Sequence, residues 1–248
     1  MDADARKNAK LAFCDNLRLQ AGTSYPMVDY LSSEGKEVLS DLVEGCDNSD
    51  TAFLCGQMIR DCIRHEKLAM IILHSEQFYK FFDYAKVNQF DRATDALSIF
   101  RLLLTNHKTM AAGFLEANYE KFFQDYNELL QSENYVTRRL SMKLLGELLL
   151  NPDNFNTMQK YVGDAANLKI VMNQLRKKDV VAYEAFHVFK IFVANSDKPD
   201  DIKRILWLNK NRLVSFLDEF RADKADDEQF NKEKAFLVDE IKKIECEL

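Results

Sequence analysis

The residues best equipped for chemistry in this chain are four histidines, five cysteines and 40 carboxylates, and their spacing decides what they do. His65, His74, His107 and His187 lie nine or more residues apart, with neither the HExxH nor the Cys/His spacing that gathers ligands on one metal. No metal site and no acid–base role is expected of them. His187, between Phe186 and Val188, reads as a packed or partly exposed helix residue. Cys14, Cys46, Cys55, Cys62 and Cys246 are odd in number, form no CxxC pair and include two at apolar helical positions, the pattern of reduced thiols in a cytosolic protein. Asp47-Asn48-Ser49-Asp50-Thr51 opens like a calcium loop. The sixth position is Ala52 where a glycine must turn and the twelfth is Met58 where a glutamate must ligate, so helix capping is the better reading. Asp200-Asp201 and Asp226-Asp227-Glu228 read as solvated charge runs in turns. GxxxxGK[ST], GxGxxG and GxSxG are all missing, which removes the common phosphate cradles and the nucleophile elbow. The chain is not read as an enzyme, and no cofactor is expected.

Residues suited to binding are easier to find. Tyr135, Arg138 and Arg139 stand together in Ser132-Glu133-Asn134-Tyr135-Val136-Thr137-Arg138-Arg139, the aromatic-plus-arginine composition that interface hot spots favour. A solvated basic turn has the same composition, and the residues alone leave both readings open. Met172, in Asn167-Leu168-Lys169-Ile170-Val171-Met172-Asn173, is either a core side chain or an adaptable groove-lining thioether.

These residues are positioned by a repeat. The segments 55–63, 96–104, 141–149 and 185–193 align without gaps, their first residues spaced by 41, 45 and 44 positions. Each opens on a small residue (Cys55, Ala96, Ser141, Ala185). A large apolar pair follows three and four positions on (Met58/Ile59, Ile99/Phe100, Leu144/Leu145, Val188/Phe189), then a second pair (Cys62/Ile63, Leu103/Leu104, Leu148/Leu149, Phe192/Val193). That is one face of a helix, recurring at the period of armadillo and HEAT arrays. Segment 9–17 matches the same template, so the array begins with no room for a first helix in that unit. This suggests a missing preceding segment. Partner helices are expected over 37–43, 76–85, 118–130, 167–176 and 212–220. Residues 223–248, with Phe230, Ala235, Phe236, Leu237 and Ile241 as an apolar stripe, are expected to form a polar-backed cap.

Seven glycines and three prolines among 248 residues, with 47% apolar and 30% charged, suit helices joined by short turns. The fold class expected is all-α: a right-handed helical-repeat solenoid of armadillo/HEAT type, a curved rod or horseshoe, forming one domain over 1–248. A net charge of −6 is opposite in sign to the basic footprint that phosphate backbones require, so nucleic acid is not an expected partner. No apolar run reaches the ~20 residues of a membrane span, and the N-terminus lacks a signal-peptide core. The expected location is the cytoplasm.

Longer strings carry a resemblance. Cys62-Ile63-Arg64-His65-Glu66, Ser75-Glu76-Gln77-Phe78-Tyr79, the 132–139 segment with Leu144-Leu145-Gly146-Glu147-Leu148-Leu149-Leu150, Glu184-Ala185-Phe186-His187-Val188-Phe189-Lys190 with Phe192-Val193-Ala194-Asn195, and Asp227-Glu228-Gln229-Phe230-Asn231 resemble the Mo-twenty-five scaffold family, also called calcium-binding protein thirty-nine. The resemblance runs from about Ala9 to Ile244. It implies a non-catalytic horseshoe adaptor that binds STE20-family kinases, or a STE20-related pseudokinase and through it an upstream liver-kinase-like Ser/Thr kinase, and activates them allosterically. It further implies a concave partner surface with Phe90, Tyr135, Arg138 and Arg139, and a C-terminal peptide pocket with Met172 flanked by Lys169 and Arg212. Two departures stand out: Asn151-Pro152-Asp153 replaces a basic turn of the family, and helices that precede the point matching Ala9 are missing. The alternative reading is an architectural repeat protein of morphogenesis or cytokinesis that recruits partners without altering kinase activity.

Overall fold

The computed structural model describes residues 2–177, 179–220 and 227–245. Cys246 and the 223–226 part of the charged C-terminal stretch, including Asp226, lie outside the described residues. Among those described there are sixteen α-helices and no strand beyond an isolated bridge between Ala21 and Ser24. The chain divides into two compact units, Met1–Asn154 and Phe155–Leu248.

The first unit contains α1 (Ala3–Arg18), α2 (Pro26–Ser33), α3 (Lys36–Gly45), α4 (Ala52–Ile63), α5 (Glu66–Leu73), α6 (Lys80–Lys86), α7 (Phe90–Thr105), α8 (Lys108–Ala117), α9 (Tyr119–Gln131) and α10 (Tyr135–Leu150). The second contains α11 (Phe155–Val162), α12 (Ala165–Leu175), α13 (Val180–Ala194), α14 (Asp200–Leu208), α15 (Lys210–Glu219) and α16 (Glu228–Lys243). All five template segments lie on helices: α1, α4, α7, α10 and α13. Their small first residues and apolar pairs are buried from α4 onward, with Met58 alone half-exposed. The expectation of an all-α helical-repeat architecture is met.

The repeat is richer than the two helices per unit expected. α2, α5, α8, α11 and α14 supply a third, short helix to every unit, the armadillo arrangement. These helices are eight to ten residues long, too short for their periodicity to stand out from the turns around them. A second correction concerns the cap. α16 buries Phe230, Leu237, Val238 and Ile241, whereas Ala235 and Phe236 face solvent. From Phe230, a 3.6-residue period reaches 237, 238 and 241 and carries 235 and 236 around to the opposite side. The capping of α4 also differs from expectation. Thr51 is the cap residue, and its hydroxyl donates to the Gly45 carbonyl at 2.7 Å instead of accepting from the helix.

Successive units are tied by bonds at the repeat spacing. Arg18 pairs with Asp61 at 2.8 Å, Arg101 with Glu147 at 2.7 Å and, in the second unit, Lys190 with Glu233 at 2.5 Å. Arg60 pairs with Asp95 between α4 and α7. A side chain on Gly56 would strike the Asp95 carboxylate, so glycine there lets this pair close against the α4 backbone. Imidazole Nε2 of His107 lies 2.7 Å from the Ile63 carbonyl, occupying an acceptor that the end of α4 leaves open. The apolar centre of the first unit is aromatic: Phe100 lies 4.8–6.1 Å, ring to ring, from Phe78, Phe82, Phe122 and Tyr126. In the second unit Phe186 packs on Phe220 at 5.6 Å and on Phe230 at 4.9 Å, seating α16.

Candidate functional site

The start of α10 is fixed by one asparagine. Asn134 Oδ1 accepts from the backbone N–H of Val136 at 2.9 Å and of Thr137 at 3.4 Å, capping the helix, while its Nδ2 donates to the Val87 carbonyl at 3.1 Å. Beside it, the buried Thr137 hydroxyl donates to the Ala85 carbonyl at 2.6 Å. Residues 85 and 87 close α6 and lead into α7, so the first turn of α10 is held against the entry to α7. Phe90, the first residue of α7, and Tyr135, the first of α10, therefore stand at the same end of two packed helices. They are 45 positions apart, the spacing of Ala96 and Ser141, and so occupy one register position. Both are exposed, Phe90 to 61% and Tyr135 to 39%.

Arg139, one turn beyond Tyr135, is also exposed. Arg138 is half-buried, and its Nη1 donates to the carbonyls of Ser132 at 2.7 Å and Glu133 at 2.9 Å. That guanidinium braces the link between α9 and α10. Of the four residues grouped on this side, three present themselves outward and the fourth holds the turn that presents them.

One residue of this side escaped sequence reasoning. On three successive template helices, the residue two positions before the small opening one is Phe53 (α4), Thr94 (α7) and Arg139 (α10). Phe53 is 64% exposed, and with Phe90 it flanks a cleft of about 630 Å³ between the starts of α4 and α7. The signal was available: carrying the alignment two residues upstream puts Phe53 in register with Arg139. Deep in the cleft, burial pushes the Cys46 thiol up to about 12 and the Tyr84 phenol, which donates to the Val43 carbonyl, likewise to about 12. Burial also lowers the pKa of Arg60. Burial thus keeps the Cys46 thiol and the Tyr84 phenol protonated near neutrality.

In the second unit, Asp164 caps α12 by accepting from Ala166 N–H at 2.7 Å. Lys169 and Met172, three residues apart, share one side of that helix; Lys169 is exposed and Met172 half-buried. Arg212 is exposed on α15, a helix that packs chiefly on α16, whereas α12 packs on α13 and α14. Lys169 and Met172 are thus adjacent, whereas Arg212 stands on a different helix pair. The Asn151-Pro152-Asp153 turn belongs to the first unit, where the Asp153 carboxylate accepts from Thr109 Oγ1 at 3.0 Å.

Among the described residues, no three His, Cys, Asp or Glu side chains converge as metal ligands, and no helix is long and apolar enough to cross a membrane. Stacked three-helix units presenting side chains from successive helices at one register position define a helical-repeat binding protein. Comparison with known proteins makes the class specific. A family model described as Mo25-like matches residues 1–245. The chain is 47% identical over 245 residues to the human calcium-binding protein 39-like, covering 98% of this chain and 72% of that one. It is 50% identical over 242 residues to MO25-like protein 2 of Caenorhabditis elegans (97% and 71%) and 41% identical over 245 residues to the Mo25-like protein of Schizosaccharomyces pombe (98% and 74%). The chain belongs to the Mo25-like family of scaffold proteins.

Proposed function

We propose that this protein is a non-catalytic cytoplasmic scaffold that binds a STE20-type kinase, or a STE20-related pseudokinase and through it an upstream Ser/Thr kinase, and stabilises the active conformation of its partner. The observation that carries this reading is the common placement of Phe90 and Tyr135 at one end of α7 and α10, with Arg139 exposed a turn away. An aromatic pair and an arginine on a stiff helical frame form the kind of surface on which a partner helix is anchored. The mechanism is population shift. A kinase needs its αC helix in place to be active, and a scaffold that binds that arrangement 100-fold better moves the equilibrium by about 2.7 kcal/mol. Lys169, Met172 and Arg212 are the second patch, for a peptide tail of the partner.

The test is a purified kinase assay with and without this protein, using wild type, Arg139→Ala and Met172→Ala. Stimulation by wild type, weakened in both variants at unchanged melting temperature, supports the reading. Binding without stimulation would favour the architectural alternative, and a large fall in melting temperature for either variant would return that residue to a structural role.

A further inference from the structure

We propose that the cleft between the starts of α4 and α7 is a docking pocket for an amphipathic helix that carries a large apolar anchor and, beside it, a lysine or arginine. The proposal deepens the kinase-scaffold reading and rests on it for the side of the molecule that faces a partner. The pocket itself rests on four observations. First, two aromatic rings that folding leaves in water, Phe53 and Phe90, face a cavity of about 630 Å³ whose interior includes Phe81, Tyr84 and Ile99. Aromatic anchors around a concave apolar site are where binding energy concentrates.

Second, the cleft's other charges are already satisfied. Arg60 pairs with Asp95, and Arg92 donates to the carbonyls of Cys46 at 3.3 Å and Asp47 at 3.0 Å, with the Asp47 carboxylate 3.5 Å away. Asp91, exposed beside Phe90, has no ion-pair partner among the described residues. The uncompensated charge at the mouth is negative, so a cation flanking the apolar anchor complements it. Third, the Thr94 hydroxyl lines the cleft, buried and without a hydrogen-bond partner. It offers a polar contact that folding does not use. Fourth, Phe53 and Thr94 hold in α4 and α7 the register position that Arg139 holds in α10, and Phe90 holds that of Tyr135. The cleft therefore continues, over earlier repeats, the register positions that Tyr135 and Arg139 hold on α10, with Phe53 and Phe90 exposed and Thr94 set inward between them.

The test uses the full chain and three fluorescein-labelled synthetic helical peptides followed by anisotropy. One has Leu/Phe anchors flanked by Lys, one replaces each Lys by Glu, and one keeps Lys but replaces the anchors by Ser. Wild type is expected to bind the Lys peptide at least about tenfold more tightly than either control. Phe53→Ala, an exposed truncation that leaves net charge alone, should weaken that binding about tenfold or more, and Asp91→Lys should turn the preference toward the Glu peptide. Failure of wild type to bind the Lys peptide, equal binding of Lys and Glu peptides, or full retention by Phe53→Ala would each overturn the pocket. A parallel measurement with a recombinant STE20-type kinase domain keeps the two proposals apart. Loss of kinase binding in Arg139→Ala without any peptide response to Phe53→Ala would remove the pocket and keep the scaffold reading. The reverse pattern would keep the pocket and remove the kinase.

Discussion

Asn134 joins helix capping, repeat stacking and site presentation in one side chain, and it can be dissected by two substitutions. Asn134→Ala removes the cap, worth about 1 kcal/mol, and the bond to the Val87 carbonyl, worth about 0.5–1 kcal/mol for a half-buried neutral pair. The expected loss is about 1.5–2 kcal/mol, which in a chain of this size lowers the melting temperature by roughly 3–8 °C. Asn134→Asp keeps a cap acceptor and gains a favourable charge at the helix N-terminus. It removes the Nδ2 donor and sets a carboxylate against the Val87 carbonyl. The bond between repeats is lost while the cap is kept, and this variant should be more stable than the alanine one. Urea unfolding gives both numbers, with an unchanged slope showing that the same surface is exposed. Arg139 follows α10, so binding to the proposed kinase partner should weaken in the same order. An alanine variant within about 0.5 kcal/mol of wild type would refute the claim that side-chain bonds at the repeat spacing hold α10 in place.

Other consequences can be measured alongside. Arg138→Ala should cost about 1–2 kcal/mol, because it leaves the Ser132 and Glu133 carbonyls without a charged donor, whereas the neighbouring Arg139→Ala should leave stability within about 0.5 kcal/mol. Burial alone would raise the pKa of Glu233, but hydrogen bonds from Lys190 and Gln229 outweigh it and bring it below the ordinary glutamate value. A depressed folded-state pKa adds stability above the unfolded value and loses it as pH falls through the folded one. Wild type should therefore lose stability on acidification below about pH 4.5 more steeply than Glu233→Gln in parallel urea titrations. Burial raises the thiols of Cys14, to about 11, Cys46, to about 12, and Cys55 and Cys62, so peptide mapping should find these four unalkylated by iodoacetamide at neutral pH until the chain is unfolded.

The template positions were legible because stacked helices must each bury one stripe, and burial selects residue type. Cys55, Ala96, Ser141 and Ala185 had to be small where helices touch, and the apolar pairs behind them had to be large. Side chains such as Ile99, Leu145 and Phe189 announce that stripe in one dimension, and the family strings around Tyr135 and His187 announce the lineage. The short third helices were not legible. Eight residues such as Glu66–Leu73 hold little more than two turns, and their stability comes from neighbours 40 residues away. The site divided in the same way. Composition at 135–139 pointed to the right segment, yet it made Arg138 and Arg139 look alike. Only the fold turned one guanidinium inward onto two carbonyls and kept the neighbouring residue at the exposed surface. Phe53 is of the same type as the core phenylalanines, yet α4 buries Cys55, Ile59 and Cys62 and turns Phe53 outward. A helix period determines which residues share a face, but which face meets water depends on what packs against the others. That is a property of the stack and not of the segment.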